Sequence, residues 1–121
     1  MLSALLLEDD PDIQRVVRLA LRRAEIEVSV VETGEAALAA VRTHPPDVVL
    51  LDWMMPGLDG ADTCTRLKTD PLTRDIPVIF LSAKSQEADV ARGLAAGAVG
   101  YITKPFDTRL LGARVRAFLG R

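Results

Sequence analysis

Short apolar runs alternate with amphipathic segments along the whole of this 121-residue chain, and that alternation strongly limits the folds it can adopt. Continuous apolar runs are typical of strands buried on both faces, as in a parallel sheet. The segments between them carry the apolar spacing of helices. The predicted strands are residues 4–7, 26–31, 48–51, 77–81 and 99–103, and the predicted helices are residues 12–24, 35–43, 61–68, 86–96 and 107–119.

Five strand–helix units in succession predict a single α/β domain over residues 1–121, with a (βα)5 architecture. Short right-handed crossovers would give a doubly wound, five-stranded parallel sheet covered by helices on both faces. We expect Asp10 to cap the first helix. In the last helix we expect Phe118 to be buried together with Leu111, Val115 and Leu119.

Composition excludes several other classes of protein. A net charge of −2 and a pI near 5.3 give no argument for direct nucleic-acid binding. Cys64 is the only cysteine, which excludes an internal disulfide and a multi-cysteine zinc site. No apolar stretch reaches the ~18 residues of a membrane span. We therefore expect a soluble cytoplasmic protein without membrane contact.

Each of four apolar runs stops at a reactive polar side chain. Because parallel strands end at one edge of a sheet, and ligands bind beyond that edge, these side chains should lie together. They are Glu8, Asp9 and Asp10 after the first run, then Asp52, Ser82 and Lys104 after the others. This set of carboxylates, hydroxyl and ammonium indicates a site for a divalent metal and a phosphoryl group.

The chemistry of that site can be assigned residue by residue. Asp9 and Asp52 are candidate magnesium ligands, and Glu8 could join them directly or through water. A cation would also relieve the repulsion between the crowded carboxylates. Asp52 is the candidate nucleophile for an aspartyl-phosphate, since it stands alone after the central apolar strand. Lys104 and Ser82 could stabilise the phosphoryl oxygens.

Four segments, in order and across nearly the whole chain, resemble the receiver domain of two-component response regulators. They are LLLEDDP at 5–11, VLLDWMMPGLDG at 49–60, PVIFLSA at 77–83 and YITKPF at 101–106. The resemblance implies a flavodoxin-like sheet with strand order 2-1-3-4-5. It also implies phosphorelay signalling, with phosphate arriving on Asp52 from a histidine kinase or a phosphotransfer protein.

The resemblance further implies a magnesium or manganese site. Glu8 and Asp9 match the acidic pair of that site, Asp52 completes the carboxylates, and the backbone carbonyl of Met54 matches a further ligand.

Ser82, Tyr101 and Lys104 match three other positions of the family. Ser82 and Lys104 match the hydroxyl and ammonium that respond to phosphate, and Tyr101 matches the aromatic switch residue. The Lys104–Pro105 bond matches a cis peptide, which is nearly confined to proline.

The same resemblance bears on partners and activity. It implies that phosphorylation alters a face made by the fourth helix, the fifth strand and the fifth helix, and that an output domain or protein reads it. Val99 and Gly100 replace acidic residues through which related receivers often dimerise, so we expect a monomer or a weak dimer. We expect no enzymatic activity beyond the chain's own phosphorylation and dephosphorylation. The chain either stands alone or precedes an effector domain.

Other interpretations of these residues remain open. The chain could be an interaction module that works without phosphorylation, or an aspartyl-nucleophile phosphatase, although Met54 stands where such phosphatases usually carry a second aspartate. Trp53 is expected to be exposed, either for partner contact or for packing of its loop. We expect His44 in a solvated loop and Cys64 in the core.

Overall fold

Strands and helices alternate as the sequence predicts. The computed structural model describes residues 1–53 and 57–121, and these ranges contain five strands and five helices. The strands are β1 (Leu2–Leu7), β2 (Ile26–Val31), β3 (Val48–Leu51), β4 (Val78–Ser82) and β5 (Gly100–Thr103). The helices are α1 (Pro11–Arg22), α2 (Gly34–Thr43), α3 (Gly60–Thr69), α4 (Glu87–Ala95) and α5 (Leu111–Leu119). None of these helices is both long and apolar enough to cross a membrane.

The sheet has the order β2-β1-β3-β4-β5, and its neighbouring strands pair in parallel. This confirms the predicted doubly wound, flavodoxin-like fold. Leu7 at the end of β1 lies opposite Leu51 at the end of β3, and Ser82 at the end of β4 lies opposite Thr103. The polar residues that follow these strands consequently share one edge of the sheet.

Two apolar clusters form the core, one on each face of the sheet. The first cluster packs α1 and α5 against strand residues such as Leu6, Leu50 and Ile79. The second packs α2 and α3 against the alternate strand residues, including Leu51 and Phe80. The side chains of β3 and β4 are buried throughout, which explains their uninterrupted apolar sequences.

Side-chain caps fix where the first three helices begin. Asp10 accepts a hydrogen bond from the backbone N–H of Asp12 at 2.9 Å, which confirms it as the cap of α1. Thr33 caps α2 and Asp59 caps α3 in the same manner. These caps set the direction of the chain as it leaves the functional edge of the sheet.

The last helix differs from its prediction at its start. It begins at Leu111 rather than residue 107, because the Asp107 carboxylate accepts hydrogen bonds from the backbone N–H and the side chain of Arg109. Such local bonds favour a turn over a helix.

The prediction that Phe118 is buried is wrong, since 39% of this residue is exposed. Its ring lies over Gly100, where an added Cβ would come within 2.6 Å of it. The side chain therefore covers Gly100 at the start of β5 and remains partly exposed.

Candidate functional site

Three carboxylates lie together beyond the ends of β1 and β3. Each of Glu8, Asp9 and Asp52 offers an oxygen, and the three oxygens lie within 4.8 Å of one another. Glu8 and Asp52 are buried whereas Asp9 is exposed. Hard carboxylate oxygens at this spacing are the donors that magnesium and manganese prefer, so this cluster could bind a divalent metal.

Lys104 brings a positive charge to the same cluster from the end of β5. Its Nζ lies 2.5 Å from Glu8 Oε1 and 3.4 Å from Asp52 Oδ2. The peptide bond between Lys104 and Pro105 is cis, as predicted. Residues from three different strand ends are thereby joined in one network of charges.

Burial sets the protonation behaviour of Glu8. It raises the pKa of this carboxyl above its ordinary value, although the Lys104 ammonium and the Asp10 N–H partly oppose the shift. The Asp10 backbone N–H donates to the second carboxylate oxygen of Glu8 at 3.1 Å. The negative charge of Glu8 is therefore held by two donors in a place that water scarcely reaches.

Ser82 and Tyr101 lie on the neighbouring part of the edge and meet at the backbone of Lys84. The buried Ser82 hydroxyl accepts a hydrogen bond from the Lys84 N–H at 3.1 Å. The hydroxyl of the half-buried Tyr101 donates to the Lys84 carbonyl at 2.7 Å. The loop that follows β4 thus connects these two hydroxyl groups.

Trp53 does not have the predicted exposure. Only 3% of this residue is exposed, so the alternative of loop packing is confirmed. Its ring centroid lies 5.1 Å from that of Phe80 and 6.4 Å from that of Tyr101. Two cations lie over the ring, with the Arg92 guanidinium at 5.0 Å and the Lys84 ammonium at 5.8 Å from its centroid.

Sequence reasoning missed this aromatic cluster and its two cations. The sequence did contain one indication of the cluster. Trp53 directly follows β3 and Phe80 lies in the middle of β4, and these two strands are neighbours in the sheet. Arg92 carried no signal, because its contact depends on how α4 packs over the sheet.

The other predicted positions lie away from this edge or outside the described residues. His44 is exposed at the end of α2, as expected. Cys64 is fully buried, and burial raises the pKa of its thiol to about 11, so it is a core residue. Met54 falls outside the ranges that the structure describes.

Comparison with known proteins agrees with this geometry. The family model for the response regulator receiver domain matches residues 4–116. The phosphate regulon transcriptional regulatory protein PhoB of Pseudomonas aeruginosa is 44% identical over 119 residues, which are 98% of this chain and 52% of that protein. The DNA-binding response regulator MtrA of Mycolicibacterium smegmatis is 42% identical over 97% of this chain and 50% of its own length. The chain thus spans about half the length of these curated relatives.

Solved structures agree as well. The receiver domain of the Francisella response regulator 1452 superposes with a TM-score of 0.90 at 32% identity, covering 100% of this chain and 98% of that one. The BeF3-activated receiver domain of DrrB gives a TM-score of 0.85 at 36% identity, covering 100% and 99% of the two chains. The matching fold, the strand-end charges and these sequence relatives lead to one conclusion: the chain belongs to the receiver domain family of two-component response regulators.

Proposed function

We propose that this receiver accepts a phosphoryl group on Asp52 from a phosphohistidine of a histidine kinase or phosphotransfer protein, with magnesium or manganese bound. The single observation that carries this proposal is the placement of the Lys104 ammonium between Glu8 and Asp52 within a cluster of three carboxylates. Receiver domains are signalling modules, so the reaction serves to change the chain itself.

The proposed transfer is a direct displacement at phosphorus. An oxygen of the Asp52 carboxylate attacks the phosphorus atom, and the bond between phosphorus and the donor's imidazole nitrogen breaks. The bonding electrons go to the imidazole, which takes up a proton from water. Hydrolysis later breaks the new phosphorus–oxygen bond, releases inorganic phosphate and restores the carboxylate of Asp52.

Glu8, Asp9 and Asp52 are the residues that would hold the metal, and Met54 would add its backbone carbonyl as the family resemblance implies. The donor set fits, because the three carboxylates supply hard oxygens within 4.8 Å of one another. When bound, the ion neutralises the charge that develops on the phosphoryl oxygens. Asp9 is exposed and keeps one side of this cluster open to the donor.

Lys104 supplies the second positive charge. Its Nζ already lies 3.4 Å from Asp52 Oδ2, so it can form an ion pair with an oxygen of the phosphoryl group on that residue. Only 15% of its side chain is exposed, and this shielding from water strengthens the ion pair.

Ser82 and Tyr101 would convert phosphorylation into a change of shape. The Ser82 hydroxyl accepts from Lys84 N–H and is also hydrogen-bonded to the Tyr101 side chain, so it would exchange the Tyr101 bond for one to a phosphoryl oxygen. Movement of Ser82 toward the phosphate would open space for the Tyr101 ring, whose hydroxyl is now bonded to the Lys84 carbonyl. The altered α4–β5–α5 face would then bind an output domain or protein. Phosphate must favour that arrangement energetically for the switch to operate.

The test is phosphorylation of Asp52→Asn. Purified wild-type protein incubated with magnesium and a small phosphodonor such as acetyl phosphate should gain one acid-labile phosphoryl group, measured by intact mass. The variant should gain none, since an amide is not a competent nucleophile. Omission of the metal should abolish the gain in the wild type.

Asp62→Asn is the matched control, since it removes one exposed carboxylate from α3 outside the cluster. It should be phosphorylated like the wild type. Equal incorporation in Asp52→Asn and wild type would refute the assignment of Asp52. No incorporation in any of the three proteins would favour the alternative of a phosphorylation-independent interaction module.

A further inference from the structure

The edge strand β2 has a charged groove on one face. This groove measures about 490 Å³ and lies between α1 and β2. Its floor includes Ile26 and Val28 of the strand, and its rim carries Arg15, Arg18 and Arg22 of α1. We name it the arginine groove.

The three arginines of this rim are spaced so that they share one face of α1. In the part of the chain that the structure describes, none of them lies within 4 Å of a carboxylate. Glu27 is the one acidic residue among those lining the arginine groove. The groove therefore carries an excess of uncompensated positive charge, although the whole chain has a net charge of −2.

A second groove borders the opposite face of the same strand. It measures about 340 Å³ and is lined by Ser29 and Val31 of β2 together with Ala40, Pro45 and Pro46. We name it the proline groove. Among the described residues, no aspartate, glutamate, lysine or arginine lines it, in contrast to the arginine groove.

The backbone between the two grooves has a free side. β2 is the terminal strand of the sheet and pairs with β1 alone in the described residues. Leu2 and Glu8 donate to the carbonyls of Glu25 and Val31, so the alternation of a parallel ladder turns the odd-numbered residues of β2 toward β1. The N–H and C=O groups of the even-numbered residues, 26, 28 and 30, consequently face away from the sheet.

Arg18 already uses this free side. Its guanidinium donates to the carbonyl of Val28 at 3.2 Å, which is a carbonyl of the outward-facing set. The positive charge of Arg18 therefore lies at the unpaired side of β2, next to the position that an added strand would occupy.

We infer that the β2 edge binds an extended acidic segment of a partner protein as a sixth strand. The Arg18 guanidinium would leave the Val28 carbonyl for a partner carboxylate, and the partner's backbone would pair with the outward groups of residues 26, 28 and 30, as in other strand-addition complexes. Because side chains of a strand alternate between faces, acidic residues would enter the arginine groove and apolar residues the proline groove. Charge complementarity selects this occupant, since three guanidinium groups that lack a carboxylate partner within 4 Å in the described residues favour carboxylates.

The experiment uses the whole 121-residue chain and an acetylated synthetic peptide in which glutamate alternates with valine. Binding is measured by fluorescence anisotropy, with lysine replacing glutamate in one control peptide. A second control peptide carries N-methyl groups that block its backbone donors. We expect the glutamate peptide to bind, the lysine peptide not to bind, and the N-methylated peptide to bind much more weakly.

The double variant Arg15→Gln/Arg22→Gln should weaken binding of the glutamate peptide roughly tenfold at low salt. Arg66→Gln/Arg114→Gln makes the same change of charge at exposed positions on α3 and α5, and should bind like the wild type. Both variants leave the phosphorylation site untouched, so incorporation of phosphate on Asp52 should be equal in the two.

Hydrogen exchange distinguishes strand addition from attraction by charge alone. Peptide binding should slow exchange at the outward amides of Val28 and Val30, while the amides of Glu27 and Ser29 are already protected by β1. The inference is overturned if the peptide fails to bind at about 1 mM, if both arginine variants lose affinity equally, or if these two amides remain unprotected.

Discussion

At the scale of single residues, the pairing of Glu8 with Lys104 decides whether a charge can stay buried at the functional edge. Glu8 is 2% exposed, and burial alone disfavours its charged form. The Lys104 ammonium offsets part of that penalty while also approaching Asp52. Removal of this cation should therefore affect stability as well as phosphorylation.

Lys104→Met tests this role in the absence of metal. At pH 7 the variant should lose about 3 kcal/mol of unfolding free energy, because two clustered carboxylates are left without their cation. Urea denaturation measures the loss.

The pH dependence of this loss has a defined sign. The folded-state pKa of Glu8 is raised above its unfolded value. The unfolding free energy therefore falls as the pH rises through the folded-state pKa, because Glu8 then becomes charged in its buried position. Without Lys104 the pKa rises further, and the difference between variant and wild type should shrink as the pH falls toward 4.5, the ordinary pKa of this group. A difference that stays constant between pH 7 and pH 4.5 would contradict the importance of this ion pair.

The sequence predicted this edge well because strand ends are set by local patterns. An apolar run that stops at Glu8 or Asp52 places the acid beyond the strand in almost any parallel arrangement. The burial of Trp53 could not be predicted in this way, since it depends on Arg92 and Phe80, which come from other elements.

At the scale of elements, the packing of α5 against the turn that follows α1 depends on a close approach at one glycine. An added Cβ at Gly112 would lie 2.3 Å from the Cβ of Ala24. Ala24 packs against the first core cluster, and Leu111, the neighbour of Gly112, belongs to that cluster. Neither the period of the apolar residues nor helix propensity reveals such a contact, because it joins residues far apart in the chain.

Gly112→Ala should destabilise the fold by roughly 1–3 kcal/mol, even though alanine is the better helix former by about 1 kcal/mol. The methyl group would force α5 away from the turn after α1 and loosen Leu111 and Val115. Thermal unfolding of the variant measures this effect.

A double variant shows whether the effect arises at this contact. Ala24→Gly/Gly112→Ala removes the opposing methyl group and should recover much of the lost stability, giving a coupling energy of about 1 kcal/mol or more. Additive effects of the two substitutions would place the cause elsewhere in α5.

The start of α5 and the position of Phe118 show where element prediction fails. The prediction that Leu111 and Val115 are buried is confirmed, but Asp107 forms a side-chain turn that delays the start of the helix. Phe118 was assigned to the core together with Leu111, Val115 and Leu119 of the same helix. It instead rests on Gly100, a residue without a side chain whose surface needs a cover.

At the scale of the whole molecule, the fold brings three carboxylates together although their mutual repulsion is unfavourable. The three carboxylates meet because parallel strands end at a common edge, and their mutual repulsion opposes the compact state. A ligand that binds only the folded arrangement must then stabilise the whole molecule by mass action. The acidic edge should thus couple global stability to the concentration of divalent metal.

Titration of magnesium during thermal unfolding tests this coupling. The wild-type melting temperature should rise with concentration, and the gain in unfolding free energy should reach about 2.7 kcal/mol at one hundred times the dissociation constant. Asp9→Asn should lose most of the gain. Its metal-free form should be at least as stable as the wild type, since one repelling charge is gone.

Asp62→Asn, which removes a carboxylate outside the cluster, should keep the full gain. Equal magnesium dependence in these two variants would mean that the ion acts on surface charge in general. If only Asp9→Asn loses the magnesium-dependent gain in unfolding free energy, the three carboxylates act as one metal-binding site. The reason is that Asp9 can affect this gain only through the cluster that it shares with Glu8 and Asp52.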